Sequence, residues 1–162
     1  MKKIYLTLML MAVFFIMAAC DKKDDSTDKT PPTIGGDPTW VNPVDCSVYH
    51  RGENLLVRYE LSDNEELGSY EIEIHNNFQP HTHSAVTAHC QHEANTATVY
   101  PWAINESFEI PAGQKTFSIN KTYTIPDDRD EGDYHLEIRV TDRAGWTTEK
   151  SIDIKIKDIP TE

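Results

Sequence analysis

Tyr134-His135-Leu136-Glu137-Ile138-Arg139-Val140-Thr141 runs into Asp142-Arg143-Ala144-Gly145, and the chain then resumes with Ile152-Asp153-Ile154-Lys155-Ile156. Apolar residues occupy every second position on both sides of the break. A period of two is that of an extended strand, whose successive side chains point to opposite faces. The break carries turn chemistry: Asp142 can accept hydrogen bonds from the turn's own backbone, and Gly145 supplies a positive φ. The stretch therefore predicts an antiparallel hairpin with one apolar and one charged face, the charged face turned to water.

The same alternation recurs upstream. Leu55, Val57, Tyr59 and Leu61 form one run, and Tyr70, Ile72 and Ile74 another, with Glu71, Glu73 and His75 between them. Phe117-Ser118-Ile119 and Tyr123-Thr124-Ile125 read as two shorter pieces. Turn signals at Ser62-Asp63-Asn64 and from Asp127 to Gly132 separate the runs, and no segment carries a helical stripe. Asp127–Gly132 is acidic enough to hold Ca²⁺ loosely, but it lacks the EF-hand spacing and reads as a charged turn. About seven strands at this length predict an all-β, immunoglobulin-like or fibronectin-III-like antiparallel sandwich.

The N-terminus reads as a targeting segment. Met1-Lys2-Lys3 is positive, Ile4 to Met17 is almost wholly apolar, and Met17-Ala18-Ala19-Cys20 is similar to a bacterial lipobox. The apolar run is shorter than the roughly 20 residues that a membrane span needs. The expected organisation is a signal peptide over 1–19, lipidation at Cys20, a flexible tether over 20–33 and one domain over 34–159. A membrane partner through the lipid follows, with the domain in the cell envelope as an outer-membrane lipoprotein, facing the surface or the periplasm. Loss of Lys2 and Lys3 with the signal moves the formal charge from −12 to −14. Nucleic acid is excluded as a partner, because phosphate neutralisation needs basic patches.

Histidine placement is the most unusual chemistry. His75, His81, His83, His89 and His92 fall in one segment, and His135 lies on a later strand. Neutral imidazole is the commonest metal ligand, and His-x-His sets two rings on one side of an extended chain. In the expected topology the third strand (about 69–76) lies antiparallel to the sixth (about 134–142), which brings His75 beside His135 on the outward face. His75, His81, His83 and His135 are the expected ligands of Zn²⁺ or another divalent transition metal such as Cu²⁺ or Ni²⁺. Glu73, His89 and His92 are possible additional ligands, and His50 reads as a lone surface histidine. Cys46 and Cys90 leave three readings open: a disulfide, as an exporting pathway favours, two thiols, or thiolate ligands.

No His-Glu-x-x-His helix, nucleophile elbow or phosphate loop is present, so the expectation is a binding protein and not an enzyme. An alternative is a metal-independent adhesion module that contacts a glycan or an envelope protein, with Trp40, Trp102 and Trp146 stacking on sugars.

With these residues in hand, the chain resembles the DUF4625 lipoproteins of the Bacteroidota. The resemblance is carried by Pro31-Pro32-Thr33-Ile34, by Ile72-Glu73-Ile74-His75 with His81-Thr82-His83, and by Gly132-Asp133-Tyr134-His135 with Asp142-Arg143-Ala144-Gly145. It implies an extracytoplasmic Ig-like domain and brings no activity with it. Lys23-Asp24-Asp25 is similar to a surface-export signal of that phylum, and Asp25-Ser26-Thr27 to its O-glycosylation sequon.

Overall fold

The computed structural model describes residues 28–78, 90 and 100–158. These residues form eight strands: β1 (Thr33–Gly35), β2 (Ser47–His50), β3 (Asn54–Ser62), β4 (Leu67–Asn76), β5 (Ile104–Glu109), β6 (Thr116–Thr124), β7 (Gly132–Asp142) and β8 (Thr147–Lys157). They build two sheets, one ordered β1-β3-β6 and the other β2-β8-β7-β4-β5. β2 runs parallel to β8, and the other strand pairs are antiparallel. The expected all-β sandwich is therefore the fold, with eight strands in place of about seven. None of the described residues forms a helix long and apolar enough to cross a membrane.

The alternation read from the sequence becomes the core. Leu55, Val57, Tyr59 and Leu61 of β3 face Tyr70, Ile72 and Ile74 of β4, Leu136, Ile138 and Val140 of β7, and Ile152, Ile154 and Ile156 of β8, all of them buried. Each such aliphatic side chain contributes roughly 1.5–3 kcal/mol by leaving water. The predicted hairpin forms as read. Asp142 Oδ1 accepts hydrogen bonds from the amides of Gly145 (2.6 Å) and Trp146 (2.8 Å), and Gly145 has φ 96°.

Three differences from the sequence reading have physical causes. The two pieces around Phe117 and Tyr123 are one strand, β6. Lys121 sits at an apolar parity between them and breaks the pattern, yet its ammonium lies 3.8 Å over the Phe108 ring, which lets the stem pack. Second, residues 28–33, expected as part of the tether, are tied to the domain. Trp146 Nε1 donates to the Asp28 carbonyl, Thr148 Oγ1 to the Pro32 carbonyl, and Thr33 opens β1. Residues before 34 thus pack with the domain. Third, the outer face of β7 is not simply solvated: Asp133, His135 and Glu137 are all buried. β7 is central in its sheet, and the side chains of β4 and β8 close over it. Arg139, for example, is clasped by Glu71 at 3.2 Å and Glu149 at 2.8 Å.

Candidate functional site

β4 and β7 are in register from Ser69↔Thr141 to Asn76↔Tyr134, which pairs Glu73 with Glu137 and His75 with His135. Since Ile72, Ile74, Leu136 and Ile138 point into the core, parity turns these four side chains to the outer face. Directly opposed residues on neighbouring strands hold their Cβ atoms about 4.5–5.5 Å apart, close enough for shared ligation. The imidazoles of His75 and His135 lie parallel, with centroids 5.5 Å apart and planes 14° from each other.

The surroundings orient both rings. His75 Nδ1 is 3.2 Å from Glu73 Oε1 on the same strand. His135 Nδ1 is 3.1 Å from Ser151 Oγ and 3.4 Å from Asp153 Oδ1, both on β8. For His135, a ring held at Nδ1 by a hydroxyl and a carboxylate is the arrangement that fixes the tautomer of a metal-binding histidine. Glu73, His75 and Glu137 each offer one ligand atom, and these atoms lie within 4.8 Å of one another. Glu137 is 5 % exposed. Two carboxylates brought together in a largely buried place cost free energy unless a cation or proton shares them. Nearby cations have other partners as well: Arg139 bridges Glu71 and Glu149, and Lys155 lies 3.4 Å from Asp133.

The structure thus brings His75 and His135 together and puts Glu73 against His75. His81, His83, His89 and His92 lie outside the described residues, as does Cys20. Glu137 was absent from the sequence-derived ligand set, although the parity that turns His135 outward turns Glu137 outward too. The signal was present in the alternation and was overshadowed by the histidines.

Cys46 and Cys90 are joined by a disulfide. Cys90 lines a pocket together with Cys46, Asp133, Asp153 and Lys155. It therefore sits beside Asp153, the partner of His135. The tryptophans do not form one platform. Trp102 is buried at 3 % exposure, Trp40 lies under Arg58, and Trp146 donates to the Asp28 carbonyl. His50 bonds to Glu53.

Comparison with known proteins adds the following. The family model described as "Domain of unknown function (DUF4625)" matches residues 18–157. No curated protein matches the sequence. Among solved structures, the crystal structure of wild type OgpA from Akkermansia muciniphila is similar with a TM-score of 0.45 and 10% identity over 79% of this chain. The present chain spans 29% of that protein's length.

Proposed function

The chain belongs to the DUF4625 family, and from the chemistry of its outer sheet face we propose that it is a lipid-anchored envelope protein that binds a divalent transition metal. The observation that carries this reading is the two-by-two block on β4 and β7: His75 opposite His135, and Glu73 opposite Glu137. Two imidazoles and two carboxylates make a donor set that suits Zn²⁺, which takes nitrogen and oxygen ligands in a tetrahedron. Cu²⁺ and Ni²⁺ accept the same donors. Glu73, His75 and Glu137 form the group whose ligand atoms already approach one another. His135 stands against His75, oriented from behind by Ser151 and Asp153. Cys90 places one point of the histidine-rich segment in the pocket that Asp153 lines, so His89 and His92, one and two residues from it in sequence, are further donors to test, together with His81 and His83.

The role is metal capture, or the use of metal to fix a loop at the cell envelope, with no catalytic step. Anchoring at Cys20 places the domain on the outer membrane, facing the surface or the periplasm. Cys20→Ser should shift the protein from the membrane fraction to the soluble one.

The experiment on the metal uses the intact, tag-free chain in detergent, dialysed against Zn²⁺ and assayed for bound metal. About one Zn²⁺ per chain is expected, with affinity reduced at least tenfold in His75→Ala and in His135→Ala. A stoichiometry near zero would overturn the reading. Binding to glycans or envelope proteins that survives chelation, with no metal bound, would put the adhesion module in its place.

A further inference from the structure

A second group of acidic side chains sits at the opposite end of β7, where the stem of the chain meets the turns at Asp63 and Asp142. Asp28 belongs to the stem, Asp63 follows β3, and Asp142 closes β7. One ligand atom of each lies within 4.8 Å of those of the other two. We propose that Asp28, Asp63 and Asp142 form a calcium site that clamps the stem to this pole of the sandwich.

Hydrogen bonding leaves one oxygen of each aspartate for a cation. Asp63 Oδ1 accepts from the amides of Glu65 and Glu66, both at 2.8 Å. Asp142 Oδ1 accepts from the amides of Gly145 and Trp146. Asp28 Oδ1 accepts from the Thr30 amide and from Asn64 Nδ2, both at 3.0 Å. The second oxygens of Asp63 and Asp142 are buried and have no hydrogen-bond partner. Asp142 is only 4 % exposed. A buried carboxylate oxygen without a donor is costly, and two beside a third aspartate repel one another. An ion between them removes both penalties.

The donor chemistry favours a hard cation: three carboxylates, with no nitrogen or sulfur among them, suit Ca²⁺, which takes oxygen ligands in flexible geometry. Arg143, next to Asp142 in sequence, points to Glu66 Oε1 (3.5 Å) and the Ile110 carbonyl (3.2 Å), while Lys115, which donates to the Asn64 carbonyl (2.6 Å), also acts on Asp28 through its charge. The hydrogen bonds from Thr30 and Asn64 hold the Asp28 carboxyl below its ordinary range, so it stays ionised at neutral pH. The stem is already docked here through the Trp146 bond to the Asp28 carbonyl and the Thr33–Ser62 hydroxyl contact at 2.7 Å. Calcium would add an ionic tie between stem and domain and so help set the angle between them.

The test is calorimetric titration of CaCl₂ into the intact, tag-free chain after EGTA treatment, with thermal unfolding in parallel. One Ca²⁺ per chain is expected, with a dissociation constant on the order of 10⁻⁴ to 10⁻³ M, as in extracellular calcium modules. At 10 mM Ca²⁺ the unfolding midpoint should rise by about 5 °C. Asp28→Asn, on the stem and outside the core, should weaken binding at least tenfold while the fold persists; Asp63→Asn should do the same. His75→Ala should leave calcium binding unchanged, which separates this site from the transition-metal site. Absence of both heat and midpoint shift would overturn the proposal, and so would calcium binding that survives Asp28→Asn and Asp63→Asn.

Discussion

The rings of His75 and His135 face each other across the β4–β7 ladder at a centroid distance of 5.5 Å. The register that pairs them also pairs Glu73 with Glu137 one step along each outward row. Nothing in the packing of a sandwich calls for two histidines and two glutamates at the centre of a sheet's outer face. Aliphatic or threonine pairs would fill the same places without desolvating charge. The metal-binding proposal rests on this block.

Under the metal-binding proposal, Glu137 distinguishes the apo from the metal-bound state. Its carboxylate is buried close to that of Glu73. Without metal this proximity is a cost, and with metal it is a pair of ligands. Glu137→Gln should therefore raise the unfolding midpoint of the metal-free chain and shrink the rise that Zn²⁺ produces. Thermal unfolding with and without chelator checks both halves. A variant that loses stability without metal and keeps the full Zn²⁺ effect would remove Glu137 from the site.

The Cys46–Cys90 disulfide spans 44 residues and ties the β4–β5 connection to the segment before β2. A cross-link over a loop of that length restricts the unfolded chain by about 4 kcal/mol in the chain-entropy model. Cys90→Ser should lower stability by about 2–4 kcal/mol in urea unfolding, and a reductant should do the same to the wild type alone. A change under about 0.5 kcal/mol would show that the bridge does little for the fold.

Alkaline pH should unfold the domain through its tyrosines. Burial raises the phenol pKa of Tyr59, Tyr123 and Tyr134, and the carboxylate of Glu106 beside Tyr123 adds to it. The neutral Tyr59 and Tyr134 hydroxyls donate to the Pro43 and Asp130 carbonyls. A raised folded-state pKa favours the protonated fold. Its stabilisation is complete below the unfolded pKa of about 10 and is lost as pH climbs through the folded value. Absorbance at 295 nm and far-UV circular dichroism, followed together above pH 10, should change in one step. Ionisation of all tyrosines near pH 10 with the dichroism intact would contradict this.

Much of the fold was legible because it rests on period-two alternation, which β3, β4, β7 and β8 keep almost without a break. β1, β2 and β5 were not. They are short or mostly exposed edge strands, held by backbone pairing and few buried side chains, so their residues carry little pattern. Lys121 hid the continuity of β6 because its charge masks a packed stem. At the site, strand parity and hairpin order sufficed to put His75 beside His135. Glu137 escaped although the same parity turns it outward, because one acidic residue among many on an acidic chain draws no notice until its burial is known. The calcium-site aspartates were equally hidden: Asp63 and Asp142 each read as turn formers, which they are, and only the structure shows Asp28 arriving between them.

X-ray absorption at the zinc edge of the Zn²⁺-loaded, tag-free chain tests the proposed metal centre most directly. The expected spectrum shows nitrogen and oxygen neighbours at about 2.0–2.1 Å with imidazole scattering that weakens in His75→Ala and in His135→Ala. A spectrum without imidazole scattering, or one that neither substitution alters, would contradict ligation by this cross-strand pair.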